Sequence, residues 1–115
     1  MKKIPVLILI IFCTSAIYAQ STFDLVKKDV EKAKAFLNEG NLKEAYKMFD
    51  TAIRQSKTKQ YKEGHPDAFT LIGDAYLTCS APDIKMAFNV YKSACEMDKK
   101  YCDKLKDPIF DVLKK

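Results

Sequence analysis

Ala45-Tyr46-Lys47-Met48-Phe49-Asp50-Thr51-Ala52 returns in outline 42 residues later as Ala87-Phe88-Asn89-Val90-Tyr91-Lys92-Ser93-Ala94. Each stretch holds an alanine, an aromatic four residues on, and a second alanine three residues beyond. On a helix turning every 3.6 residues those positions share one face. Small side chains there let a neighbouring helix come close, and the aromatic between them fills the groove beside the contact. The pattern therefore predicts a helix in each stretch, both built to pack.

Working outward, the same spacing of three and four continues. Leu25, Val26, Val30, Ala33, Phe36 and Leu37 lie on one face of an earlier helix. Ser21 with Asp24 supplies a start signal, and Gly40 a stop, because glycine accepts the left-handed conformation at a helix end. Asn41 with Glu44 three residues later starts the next helix, which fades in the polar Ser56–Gln60 stretch. So short a turn makes the first two helices antiparallel neighbours.

Gly64-His65-Pro66-Asp67 opens a third helix carrying Ala68, Phe69, Leu71, Ile72, Ala75, Tyr76 and Leu77. Gly73 inside it costs about 1 kcal/mol relative to alanine, which points to a tight helix crossing. Ser80-Ala81-Pro82-Asp83 separates it from a fourth helix with Ile84, Ala87, Phe88, Val90, Tyr91, Ala94, Cys95 and Met97. Tyr101 to Leu105 continues into Asp107-Pro108 and a short terminal helix through Leu113. No stretch alternates with period two. The expected fold is all-α: two antiparallel helix hairpins plus a C-terminal helix.

These motifs resemble those of tetratricopeptide repeat proteins. Phe69, Ile72-Gly73 and Tyr76 match the first helix of that family's unit, and Ala87, Tyr91 and Ala94 its second. In the earlier unit Phe36, Gly40, Ala45, Phe49 and Ala52 match, with Ala33 where the family often has glycine. The period of 40 to 42 exceeds the usual repeat of about 34. That longer period, and Ala94-Cys95-Glu96-Met97 followed by Cys102, also resemble Sel-like repeats, in which paired cysteines tie adjacent helices together. The resemblance implies units at about 24–60 and 65–100 with a capping segment at 101–115. Such arrays need about three units for a stable stack, so a disulfide, a cap or a partner must compensate here.

Residues 1–19 stand apart. Lys2 and Lys3 precede a run without charge from Ile4 to Phe23, whose densest apolar part is Val6–Cys13 and which passes through Ala16-Ile17-Tyr18-Ala19. This reads as a secretory signal cleaved after Ala19, leaving one domain over 20–115 in a secreted or periplasmic protein. A retained membrane anchor would want a longer strongly apolar run. A lipoprotein at Cys13 would want a small residue where Phe12 stands. Cleavage removes two of the twenty basic residues and none of the fifteen acidic ones, so the remainder is weakly basic. Its charges form no stripe of the kind nucleic-acid binding requires.

Cys79, Cys95 and Cys102 remain after cleavage, enough for one disulfide. Cys79 and Cys95 stand at opposite ends of the fourth helix. The expected disulfide is Cys95–Cys102, which forms if the chain turns near Asp98-Lys99-Lys100 and cannot if the helix runs on through Cys102. With His65 the three cysteines reach the ligand count of a zinc site, but no C-x2–4-C pair occurs, so no metal is expected. His65 reads as a loop residue. No phosphate-cradling glycine loop, G-x-S-x-G or H-E-x-x-H occurs, and Asp29 and Glu31 read as solvated. No catalytic residue or cofactor is expected.

What remains is a surface. In tetratricopeptide arrays the first helices of each pair line a concave groove. The resemblance places Lys27, Val30, Lys34, Leu37 and Asn38 there in the first unit, and Asp67, Thr70, Asp74, Leu77 and Thr78 in the second. A protein or peptide could dock on this mixed face. The expected role is non-catalytic protein–protein interaction at the envelope or outside the cell, with a small secreted inhibitor or immunity-type protein as the alternative. A redox protein working through Cys79 is the alternative of a different class.

Overall fold

The computed structural model describes residues 23–114. They form four α-helices and two 3-10 helices, with no strand among the described residues. Helix α1 occupies 23–38, α2 Leu42–Gln55, α3 Pro66–Thr78 and α4 Ile84–Met97, followed by 3-10 helices Lys99–Lys106 and Pro108–Lys114. The expected signal at 1–19 and the start signal at Ser21 lie outside the described residues.

Local chemistry explains the boundaries. At the end of α1, Gly40 has φ +79°. Its N–H bonds the Leu37 carbonyl at 3.1 Å, and the Asn41 N–H bonds that of Phe36 at 2.8 Å. This paired closure satisfies carbonyls that the helix end leaves free. Asn41 then caps α2 by accepting from the Glu44 N–H at 3.4 Å. Asp83 does the same for α4, accepting from the Met86 N–H at 3.1 Å. Asn41 and Asp83 are 42 residues apart, and the helices they open are each 14 residues long.

Packing repeats at the same offset. Ala45, Ala52, Ala87 and Ala94 are fully buried, with Phe49 and Tyr91 buried between them. Ala45, Phe49, Ala52, Ala87 and Tyr91 share one core with Val26, Val30 and Ala33 of α1 and with Ala68, Ile72, Ala75 and Tyr76 of α3. Each large apolar side chain buried this way contributes about 1.5–3 kcal/mol.

Gly73 serves the close crossing expected of it. A Cβ built there would come within 2.7 Å of Cδ1 and Cζ of Tyr91, so the Tyr91 ring lies directly on the α3 backbone. Gly64 is a second requirement: its φ is +139°, and a Cβ there would meet Ile53 Cγ2 at 2.7 Å.

The C-terminal region departs from expectation. It is 3-10 rather than α-helical and begins at Lys99. Asp98 sets this turn, with an extended backbone (φ −152°, ψ 120°) that α4 cannot continue through. Its carboxylate accepts from the Lys100 N–H at 3.1 Å, and the chain doubles back against α4. Cys95 and Cys102 thereby meet at disulfide distance, their Cα atoms 4.4 Å apart. Farther along, Phe110 is fully buried and stands edge-on to Phe88 and Tyr91, with centroids 5.3 and 5.8 Å away.

Candidate functional site

Asp67, Thr70, Asp74 and Leu77 are spaced by three, four and three residues on α3, so they form one longitudinal stripe. Thr70 turns its hydroxyl back to the Asp67 carbonyl at 2.8 Å. Asp67 lies in the first turn, where the exposed N–H groups favour a negative charge. Its neighbour His65 is the cap of α3, and its Nδ1 accepts from the Asp67 N–H at 3.0 Å. His65 is thus a loop residue before Pro66, as expected, with the added role of capping the helix. Proline one place later needs no N–H partner, so the cap goes to the next residue.

The C-terminal segment packs on α4, and two of its side chains reach this stripe. The Tyr101 hydroxyl donates to Asp67 Oδ1. The Lys104 ammonium is 3.6 Å from Asp74 Oδ1 and 5.7 Å from the centre of the Tyr91 ring. The Tyr91 hydroxyl donates to the same Asp74 oxygen. Burial raises the Tyr91 and Tyr101 hydroxyls well above their ordinary pKa, and the carboxylates that accept their protons raise them further. Between α3, α4 and the C-terminal segment a cleft of about 560 Å³ remains, lined by Asp74, Leu77, Tyr91, Lys100, Lys104 and Pro108 among others. The acidic half of the expected groove is thus engaged by this chain's own tail.

The α1 members are placed differently. Val30 is buried at 6% exposure and is not a groove residue, because with Val26 and Ala33 it forms the core face of α1. Lys27 is exposed, its ammonium 5.0 Å from the centre of the Phe23 ring. Lys34 and Leu37 are half-buried. Asn38 accepts from the Ser80 N–H at 2.7 Å and its hydroxyl at 2.9 Å, tying the end of α1 to the α3–α4 loop. Thr70, Asp74 and Leu77 therefore stand together on α3, while Lys27, Lys34, Leu37 and Asn38 run along α1. Asp29 is buried at 8% exposure rather than solvated, since position 29 shares the inward face with 26 and 33.

A second cleft was not expected. It is apolar, about 290 Å³, and lies between α2 and α4 over α3. Tyr46, Phe49 and Ile53 form one wall, Phe69, Ile72 and Tyr76 the floor, and Met86 and Val90 the other wall. Tyr46 is 45% exposed at its rim. The signal was present in the apolar Tyr46 and Val90, which fall beside the alanine face and widen the apolar stripe beyond one helix contact.

Cys79 is buried at the end of α3, its thiol facing the carbonyls of Tyr76 at 3.3 Å and Ala81 at 3.4 Å. No group of three His, Cys, Asp or Glu side chains able to hold a metal ion occurs among the described residues. No helix among them is long and apolar enough to cross a membrane. Comparison with protein-family models, with curated proteins and with solved structures finds no match for this chain.

Proposed function

We propose that this chain is an exported, non-catalytic helical-repeat protein, resembling tetratricopeptide and Sel-like arrays, that works by binding another protein. The observation that carries this reading is the duplicated unit. Two 14-residue helices with equivalent caps bury Ala45, Phe49 and Ala52, and Ala87, Tyr91 and Ala94, at equivalent positions. Helix pairs stacked in this way build extended surfaces. Export is supported by the leader-like composition of residues 1–19 and by Cys95 and Cys102 at disulfide distance, since such bridges persist in oxidising compartments.

Two surfaces offer themselves: the first-helix face with Lys27, Lys34, Leu37, Thr70, Asp74 and Leu77, and the apolar cleft rimmed by Tyr46 and Val90. The test is capture from the envelope fraction by the full mature chain, followed by titration of the purified partner. Saturable binding of one partner is expected, lost either in Leu77→Arg or in Tyr46→Arg with Val90→Arg, which tells the two surfaces apart. A partner that binds both variants as well as the parent would refute the surface reading. Fractionation with N-terminal sequencing tests export, with Gln20 expected as the first residue.

A further inference from the structure

We propose that the acidic stripe of α3 recognises a basic, tyrosine-bearing segment of the partner, and that Lys99–Lys106 is a built-in competitor for that site, kept in place by the Cys95–Cys102 disulfide. The proposal rests on the protein-binding reading above and adds the partner's chemistry and a control on access.

The strap itself shows what the site accepts. Residues three apart in a 3-10 helix eclipse one another, so Tyr101 and Lys104 project from the same side. One hydroxyl meets Asp67 and one ammonium meets Asp74. Asp67 and Asp74 are seven residues apart, two turns of α3, and face the same way. The strap packs on α4, and the order of its two contacts, Tyr101 to Asp67 and Lys104 to Asp74, follows that of the acidic residues along α3. Its charges are complementary as well, since Lys99, Lys100, Lys104 and Lys106 outnumber the single Asp103.

The hold is light. No side chain of Lys99–Lys106 is buried. The Lys104–Asp74 pair has both side chains 48% exposed, and exposed pairs of this kind add little. Segments with few buried contacts open locally far more readily than a core. The covalent tie joins Cys102 to the last turn of α4 across a separation of only seven residues, and Leu105 packed on the core and the buried Phe110 hold the segment beyond it. A tether that short gives the strap an effective concentration that a free segment must outcompete.

Reduction with dithiothreitol tests this. The reagent delivers two electrons and two protons, the S–S bond breaks, two thiols form, and the reagent closes to its own cyclic disulfide. Hydrogen exchange of amides 99–106 is expected to accelerate at least about tenfold on reduction. The probe is the synthetic octapeptide of Lys99–Lys106 carrying Cys102→Ser, titrated into the isotope-labelled full chain. Saturable shifts are expected at amides 67–77 of the reduced chain, with at least about tenfold weaker binding to the oxidised chain. Asp67→Asn with Asp74→Asn should abolish them. Should that pair fail to fold, peptides with Tyr101→Phe and Lys104→Ala against the unaltered chain carry the same test. Equal exchange before and after reduction, equal peptide binding to both forms, or binding indifferent to these substitutions would overturn the proposal. Since the probe is this chain's own segment, the outcome is independent of whether capture finds a partner.

Discussion

Replacing Gly73 by alanine separates the packing account from simple helix propensity. In a generic helix interior the change stabilises by about 1 kcal/mol. Here the new methyl would come within 2.7 Å of two Tyr91 ring atoms. The ring has nowhere to go: it is buried, its hydroxyl is held by Asp74, and Phe110 stands edge-on to it. Inserting a methylene-sized group into a packed core costs about 1–3 kcal/mol. A measured net loss of up to about 2 kcal/mol is expected once propensity is offset, which for a domain of this size lowers Tm by up to about 16 °C. Urea unfolding followed by circular dichroism measures it. The control is Gly73→Ala in a Tyr91→Leu background, where the obstacle is gone and the same change should be neutral or stabilising. Such a reversal is a coupling of the kind a double-mutant cycle isolates. Stabilisation by Gly73→Ala in the parent chain, or an equal effect in both backgrounds, would refute the close crossing.

Alkaline pH gives a second measurement. Burial foremost raises the Tyr76, Tyr91 and Tyr101 pKa values above the ordinary 10.0. The folded chain therefore keeps phenolic protons that the unfolded chain loses, and their contribution is complete below pH 10 and declines as pH rises beyond it. Stability against urea should fall above pH 10, and Tyr91→Phe with Tyr101→Phe should flatten that fall. Asn38→Ala should cost about 1 kcal/mol by stripping both Ser80 donors of their acceptor, whereas Leu42→Ala at 50% exposure should stay within about 0.5 kcal/mol in the same urea assay.

Much of the architecture was legible before any coordinates. Gly40 and Asn41 marked the first turn because the left-handed glycine and the capping amide act within a few residues. Ala45, Ala52, Ala87 and Ala94 marked the buried faces because a small residue at helical spacing has few other uses. The candidate surface was legible only in part. Thr70, Asp74 and Leu77 share a stripe of α3, yet Asp74 is bonded within the chain by Tyr91 and Lys104. Val30 was misplaced because an apolar residue at a core spacing and one at a groove spacing differ by a small rotation about α1. The capping role of His65 is not legible in the sequence, because its ring nitrogen meets the Asp67 N–H only once the backbone around Pro66 is set.

The chain's own residues determined four helices, their caps and their apolar faces, since each depends on contacts three or four positions apart. Tertiary structure alone decided that Tyr101 and Lys104 reach Asp67 and Asp74, and that an apolar cleft opens between α2 and α4. The first of these turns on the reversal of the chain at Asp98, which brings together residues 34 positions apart, and the second on how α2 and α4 pack over α3. Such distances follow from packing angles, and a local pattern does not encode them.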